Sequence, residues 1–275
     1  MLYFIPTPIG NLSDISFHAL NILKTCDKII CEDTRVAKSL INLLNKKFNT
    51  NIKPNLFLSL NTHNEKQFLS KLNNDFFDTN IAFLSDAGMP CISDPGSFLI
   101  KYAQNNNINY EVLPGANAAL CALVASGFSE KEFIFLGFLS NKGKERAKDI
   151  EKLLKNPYTS IVYESPKRIL TLIETIASID ENREIFLIKE ISKKFEKKFK
   201  NQAQILAKEL KNENLNGEWV VVLKGINDKW AYNTLCEKDI LDLDISLKTK
   251  SKLLSKLNGK NNKIIYNELL QGKLK

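Results

Sequence analysis

Short apolar runs alternate along this chain with longer stretches whose apolar residues recur every three or four positions. Leu2–Ile5, Lys28–Cys31, Leu56–Leu60, Ile81–Leu84 and Tyr110–Leu113 read as strands. Between them, Ser13–Lys24, Thr34–Leu44, Glu65–Leu72, Phe98–Ala103 and Ala116–Ser126 read as helices. In Thr34–Leu44 the apolar positions 36, 37, 40, 41 and 44 follow the 3.6-residue helical repeat. Alternation of this kind predicts a mostly parallel sheet with crossover helices.

A boundary falls at Gly127-Phe128-Ser129-Glu130. Beyond it the pattern predicts strands at Phe133–Phe138, Ser160–Tyr163, Glu184–Ile188 and Glu218–Leu223, and helices at Gly143–Leu154 and Pro166–Ile179. This second unit is also α/β, with room for antiparallel pairing. The lysine cluster over 193–200 reads as a charge run rather than low complexity. From Asn227 onward the character changes to short helices, Ser246–Leu257 and Lys263–Leu270. The expected organisation is an N-terminal α/β domain over 1–127, a C-terminal α/β domain over 128–226 and a small basic helical tail over 227–275.

The chemistry concentrates where strands hand over to helices. Ser85-Asp86-Ala87-Gly88-Met89-Pro90-Cys91-Ile92-Ser93-Asp94-Pro95-Gly96 places two acid–turn units back to back after Ile81–Leu84. In an open parallel sheet, ligands bind outside the carboxyl ends of the strands. A long polar Gly/Pro loop at that place reads as a binding site. Pro6-Thr7-Pro8-Ile9-Gly10-Asn11-Leu12 follows the first strand, with two prolines to stiffen it and Gly10 to supply an unusual dihedral; Ser13 reads as the next helix's N-cap. Glu32-Asp33-Thr34-Arg35 follows the second strand, His63-Asn64-Glu65 the third, and Leu113-Pro114-Gly115-Ala116-Asn117-Ala118 the fifth. In the second unit, Tyr163-Glu164-Ser165-Pro166-Lys167-Arg168 opens a helix with two cations in its first turn, unfavourable for the helix dipole unless they face an anion.

The net charge of +8 lies wholly in the second half: residues 1–120 hold 10 basic and 10 acidic residues, residues 121–275 hold 29 and 21. This asymmetry points to a polyanionic partner for the second half. Five unpaired-looking cysteines (Cys26, Cys31, Cys91, Cys121, Cys236) and two histidines support neither a disulfide framework nor a metal centre, and suggest a reduced, cytosolic setting. No apolar run approaches the length of a membrane span, and Met1–Pro6 lacks the features of a signal peptide. GxGxxG, GxxxxGK[ST] and GxSxG are all absent, so the ligand is held by a different set of loops.

Taken together, the loops Pro6–Leu12, Glu32–Arg35, Ser85–Gly96, Leu113–Gly115 and Tyr163–Pro166, with Lys189-Glu190, Glu196 and Gly217-Glu218, occur in the same order in the ribosomal-RNA-modifying members of the tetrapyrrole methylase superfamily, which this chain resembles over nearly its whole length. The resemblance implies a two-domain α/β fold, a mostly parallel N-terminal sheet, a mixed C-terminal one, and a cytoplasmic homodimer. It implies S-adenosylmethionine as cofactor and 2′-O-methylation of a cytidine in the decoding region of 16S rRNA. Carried over by motif, the cofactor contacts are Pro8, Asp86, Gly88, Met89, Ser93, Asp94, Ala116, Asn117, Ala118 and Tyr163. Met89, Asn117 and Lys167 stand where the family usually has Thr, Ser and His.

A ribose hydroxyl is a weak nucleophile and calls for a proton acceptor. Asp33, Glu32 and Glu164 are the candidates, with His63 behind them. For RNA phosphates the candidates are Arg35, Lys142, Lys144, Arg146, Lys148, Lys167, Arg168, Lys193, Lys194 and the rest of the run to Lys200, with Lys248, Lys250, Lys252, Lys256, Lys260 and Lys263 in the tail. A tetrapyrrole methyltransferase would need no basic half. An RNA-binding assembly factor without chemistry would need no acidic loop.

Overall fold

The computed structural model describes residues 1–128, 131–226 and 237–271. Ser129 and Glu130 of the expected boundary, the first ten residues of the expected tail and Cys236 lie outside the described residues. The chain forms two compact units, Met1–Gly225 and Ile226–Lys275.

The first unit begins β1 (Leu2–Ile5), α1 (Phe17–Thr25), β2 (Lys28–Cys31), α2 (Thr34–Phe48), β3 (Leu56–Ser59), α3 (Glu65–Leu69), β4 (Ile81–Leu84), α4 (Ser97–Asn105), β5 (Tyr110–Val112) and α5 (Ala118–Ser126). Its five strands make one parallel sheet ordered β3-β2-β4-β1-β5. Central β4 is buried throughout, which is why its sequence, Ile-Ala-Phe-Leu, is apolar without alternation. One face packs Ile5, Ile29 and Leu84 against Leu20 and Leu23 of α1 and Ile41 and Leu44 of α2. The other packs Phe4, Ile30 and Phe83 against Leu99 and Ala103 of α4. Helix α1 starts three residues later than the expected cap allows. Ser16, not Ser13, is the N-cap, its Oγ accepting the Ala19 N–H at 3.0 Å, while Asn11 caps a separate 3-10 turn over Leu12–Asp14.

The unit continues with β6 (Phe133–Phe138), α6 (Gly143–Lys155), β7 (Thr159–Glu164), α7 (Ile169–Ile179), β8 (Glu184–Lys189), β9 (Lys197–Gln202), α8 (Ala203–Leu210) and β10 (Trp219–Leu223). The second sheet is ordered β6-β7-β10-β8-β9; β6 and β7 are parallel and every other pairing is antiparallel. The charge run therefore contains a strand that the pattern did not predict: Lys197–Gln202 lies at the sheet edge. Its lysines hide the strand from the hydrophobic pattern, and only Phe199, stacked on Trp219 at 5.8 Å, anchors it inward. Lysines on an edge also discourage pairing with another chain.

Helices α6, α7 and α8 cover one face of the second sheet. The opposite face receives α5, whose Ala119, Ala122 and Leu123 pack on Ile161, Phe186, Ile188, Val220 and Val222. The chain thus crosses to the second sheet at Pro114–Asn117, before α5, rather than after it. In the second compact unit α9 (Glu237–Asp242), α10 (Leu247–Asn258) and α11 (Asn262–Leu270) share a small core of Ile240, Leu254, Ile265 and Leu269. Among the described residues, no helix is long and apolar enough to cross a membrane.

Candidate active site

Register brings the loops together. Ile5 of β1 and Cys31 of β2 both lie opposite Leu84 of β4, so Pro6–Asn11, Glu32–Asp33 and Ser85–Gly96 leave the sheet side by side. Thr7 and Gly88 then exchange backbone hydrogen bonds at 2.9 and 3.1 Å, and the Asp33 N–H donates to Asp86 Oδ1 at 3.2 Å. Buried Glu65 holds the far end of the acidic loop, its Oε1 accepting the Gly96 and Phe98 N–H groups at 3.1 Å each. His63, by contrast, is exposed and lines no cavity described here. Within the loop, Cys91 and Ser93 take left-handed backbone (φ 67° and 66°), a conformation non-glycine residues adopt at a cost and that clusters at binding sites.

A cleft of about 400 Å³ lies between these loops and the second sheet. The first sheet contributes Ile9, Asp86–Met89 and Ile92–Asp94, and the crossover contributes Asn117 and Ala118. The second sheet contributes Phe138, Tyr163–Pro166, Ile191 and Gly217–Val220. Of the expected cofactor residues, Asp86, Gly88, Met89, Ser93, Asp94, Asn117, Ala118 and Tyr163 share this wall. Pro8 and Ala116 are not in its lining: Pro8 follows the Thr7–Gly88 pair in the chain, and the Ala116 carbonyl oxygen lies 3.6 Å from where a Cβ on Gly88 would sit. Asn117 caps α5 by accepting the Leu120 N–H at 3.1 Å, work that the family's serine does equally well.

Several wall residues escaped the sequence. The register of β6 slips between Phe135 and Phe138, at Gly137 (φ 64°), and this bulge turns Phe138 to the cleft, 5.4 Å from the Tyr163 ring. A Cβ on Gly137 would come within 2.9 Å of Ser93 Oγ. The glycine in an aromatic strand was the available signal. Gly10 serves differently from the expectation. It is not among the left-handed glycines; instead a Cβ there would meet Ser192 C at 2.7 Å and Ile191 O at 2.8 Å. Close approach, not dihedral freedom, is what this glycine supplies. It seats the turn after β8 against the first loop, where the Asn11 N–H donates to Ser192 Oγ at 3.3 Å and Ser192 Oγ donates to Asp14.

The acids divide by environment. Asp33 is paired with Arg35 at 2.6 Å and capped by its N–H, and these bonds pull its carboxyl down to about 2. Burial, then the charges of Glu32 and Asp86, push Asp94 up to about 7. Glu32 and Asp86 are raised for the same leading reason. Asp86 also lines a shallow second groove, with Asp33, Arg35, Val36, Ser39, Leu40 and Leu43 of α2.

Glu164, expected as a base, is buried with both oxygens engaged. Oε2 accepts from Arg146 Nη2 at 2.7 Å, and Oε1 accepts from Arg168 Nε at 2.8 Å and the Ser165 N–H at 2.7 Å. Arg146 and Arg168, expected on RNA, therefore point inward to a protein carboxylate; for Arg168 this is the anion that its place in the sequence called for, while its neighbour Lys167 stays exposed. Lys193 is likewise shared by Glu190 and Glu218 at 3.1 and 3.0 Å. Arg35, Lys142, Lys144, Lys167 and Lys194 are exposed.

A family model described as Tetrapyrrole (Corrin/Porphyrin) Methylases matches residues 1–207. Ribosomal RNA small subunit methyltransferase I of Campylobacter fetus subsp. fetus is 58% identical over 98% of this chain and all of its own length. The protein of that name from Helicobacter pylori strain J99 is 39% identical over 97% of this chain and 96% of its own. A solved structure of uroporphyrin-III C-methyl transferase from Thermus thermophilus, complexed with S-adenyl homocysteine, has the same fold at TM-score 0.55 and 16% identity, over 80% of this chain and 96% of that one.

Proposed function

Because this chain belongs to the tetrapyrrole methylase family, we propose that it transfers a methyl group from S-adenosylmethionine to the 2′-hydroxyl of a cytidine in the decoding region of 16S rRNA, in the cytoplasm. The relatives named for small-subunit rRNA methylation, at 58 and 39% identity, support the RNA acceptor. The observation that carries the geometry is Asp86, which lines both the cleft and the shallower groove along α2. A donor held in the cleft and an acceptor entering by the groove meet at this carboxylate.

The cleft suits the cofactor by the chemistry of its walls. Ile9, Ile92, Phe138 and Val220 offer an apolar surface to the adenine, and Asp86 and Asp94 offer carboxylates to ribose hydroxyls and to positive charge. Ala118 opens α5, whose first turn has N–H groups without helical partners. When bound, S-adenosylmethionine supplies an electrophilic methyl group on a sulfonium centre. The protein's own task is to align the incoming ribose oxygen and to take its proton. Guanidinium partners already occupy Asp33 and Glu164, so the proton acceptor is drawn from the partly buried pair Glu32 and Asp94. Exposed Lys142, Lys144, Lys167, Lys194 and Arg35 bind phosphates.

A homodimer is the assembly we propose, and α5 supports it. Its sequence, Ala-Ala-Leu-Cys-Ala-Leu-Val-Ala-Ser, is apolar on every side, yet Leu120 and Val124 are 48 and 82% exposed. A helix of that kind belongs inside an interface.

The test is to incubate the protein with labelled S-adenosylmethionine and small ribosomal subunits lacking the modification, then map ribose methylation. One labelled cytidine in the decoding region is expected. Transfer to a porphyrinoid and none to RNA would overturn the assignment.

A further inference from the structure

The two most exposed phenylalanines of the described residues, Phe17 at 81% and Phe195 at 71%, flank one and the same contact between the two sheets. Phe17 lies three residues after Asp14, and Phe195 three residues after Ser192, the pair joined by the Ser192 hydroxyl. Three residues span at most about 10 Å of chain, so the Cα atoms of both phenylalanines lie within that reach of the clasp. The clasp in turn borders the cleft, since Ile9 and Ile191 line it on either side.

The turn that carries Phe195 is built, not slack. Glu190 and Ser192 are left-handed (φ 56° and 63°), the Lys193 N–H donates to the Glu190 carbonyl at 3.0 Å, the Glu196 N–H donates to the Lys193 carbonyl at 3.2 Å, and the Ser192 N–H donates to Glu196 Oε2 at 2.8 Å. Phe195 joins no hydrophobic cluster. Its neighbour is Lys194, whose Nζ sits 5.5 Å from the ring centroid and makes no ion pair among the described residues. A hydrogen-bonded turn that holds a phenyl ring 71% exposed and sets a cation beside it buries little apolar surface with that ring. It has the composition of a surface that stacks a nucleobase and holds its phosphate.

We infer that Phe195, with Lys194 beside it and Phe17 across the clasp, forms a stacking platform for unpaired bases of the RNA next to the acceptor nucleotide. The occupant is single-stranded RNA, because the exposed ring sits beside the one lysine of the run 193–198 whose charge no carboxylate among the described residues neutralises; Lys193, Lys197 and Lys198 are held by Glu190, Glu218, Glu213 and Glu196. This rests on the RNA acceptor proposed above. The platform adds sequence-tolerant affinity and register, so that the acceptor ribose is delivered to the groove beside Asp86.

Phe195→Ala, Phe17→Ala and Phe195→Trp would be compared with wild type in methyl transfer to small ribosomal subunits, with cofactor affinity by calorimetry and oligomeric state by sedimentation. Loss of one stacked base predicts that either alanine variant raises KM for the subunit roughly 5- to 100-fold with kcat little changed. Phe195→Trp keeps wild-type KM, and cofactor affinity stays constant in all three. Wild-type KM in both alanine variants overturns the platform while wild-type turnover leaves the RNA acceptor standing. Failure of the wild type to label RNA removes the acceptor reading itself. A change of oligomeric state in Phe195→Ala makes the ring a protein contact and also overturns the proposal.

Discussion

Replacing Glu164 by glutamine separates a strut from a base. In the structure this carboxylate is 3% exposed as a residue and ties α6, β7 and the start of α7 together through Arg146, Arg168 and the Ser165 N–H, at 2.7 to 2.8 Å. The isosteric amide removes the charge and turns one acceptor into a donor that faces a guanidinium or an N–H. Removing one partner of a buried ion pair costs about 3–5 kcal/mol, because the remaining charge stays buried without its counterpart. The Arg168 side chain is 29% exposed and recovers part of its hydration, whereas Arg146 is 12% exposed and does not, so the lower end, about 3 kcal/mol, applies. For a unit of this size each kcal/mol moves Tm by about 2–4 °C, which predicts a fall of about 6–12 °C for Glu164→Gln. Arg146→Met, which leaves Glu164 its other two donors, costs about 2 kcal/mol. The assay is thermal unfolding by circular dichroism, with single-turnover methyl transfer measured well below the lowered Tm. A Glu164→Gln protein with wild-type Tm and methyl transfer reduced a hundredfold or more would make Glu164 the base and sink the assignment of the proton to Glu32 and Asp94.

Asp94 predicts a pH dependence in two opposed directions. Its folded pKa, about 7, lies above the ordinary carboxylate value, so the folded state holds the proton longer than the unfolded one. Stability from this group is therefore lost as pH rises between about 4 and 7. Methyl transfer rises over the upper part of that window as the carboxylate forms. Asp94→Asn removes the group's share of the stability trend and lowers transfer above pH 7; a wild-type pH profile in this variant would exclude the residue from the chemistry. Gly10→Ala drives a methyl into the backbone of Ile191 and Ser192, at 2.8 and 2.7 Å. It is expected to cost about 1–3 kcal/mol and to weaken cofactor binding in calorimetry; unchanged affinity and Tm would show that the two loops do not depend on this approach. Lys142→Ala with Lys144→Ala lowers the slope of log affinity against log salt by about 1.4–1.8 if each neutralises one RNA phosphate, with cofactor affinity unchanged. An unaltered slope places the RNA elsewhere.

The strands of the first sheet were legible in the hydrophobic pattern, most plainly the central Ile81–Leu84, because a strand buried on both faces must be apolar at every position, whereas the edge strands β3 and β5 are partly exposed. The loop chemistry was legible too: prolines, glycines and acids at strand ends have few structural uses, and five such loops in order point to one family. Strand β9 was not, since lysines on an edge leave only Phe199 to mark it. Local pattern carries local preferences, and it stops at contacts between residues far apart in the chain. Sequence named Glu164, Arg146 and Arg168 as functional but not that they neutralise one another across 18 and 4 residues. It marked Gly10, while the reason, a turn 181 residues away resting on its Cα, exists only after both sheets are assembled. It offered Asp33 as a proton acceptor and Asp94 as a cofactor contact, with nothing to set their proton affinities apart. Folding gave one an arginine and the other a desolvated place beside two carboxylates, and so set their proton affinities far apart. Which chemical groups are available is written along the chain; which of them remain free to act is decided by packing, because a charge's partner and its access to water are properties of the assembled surface.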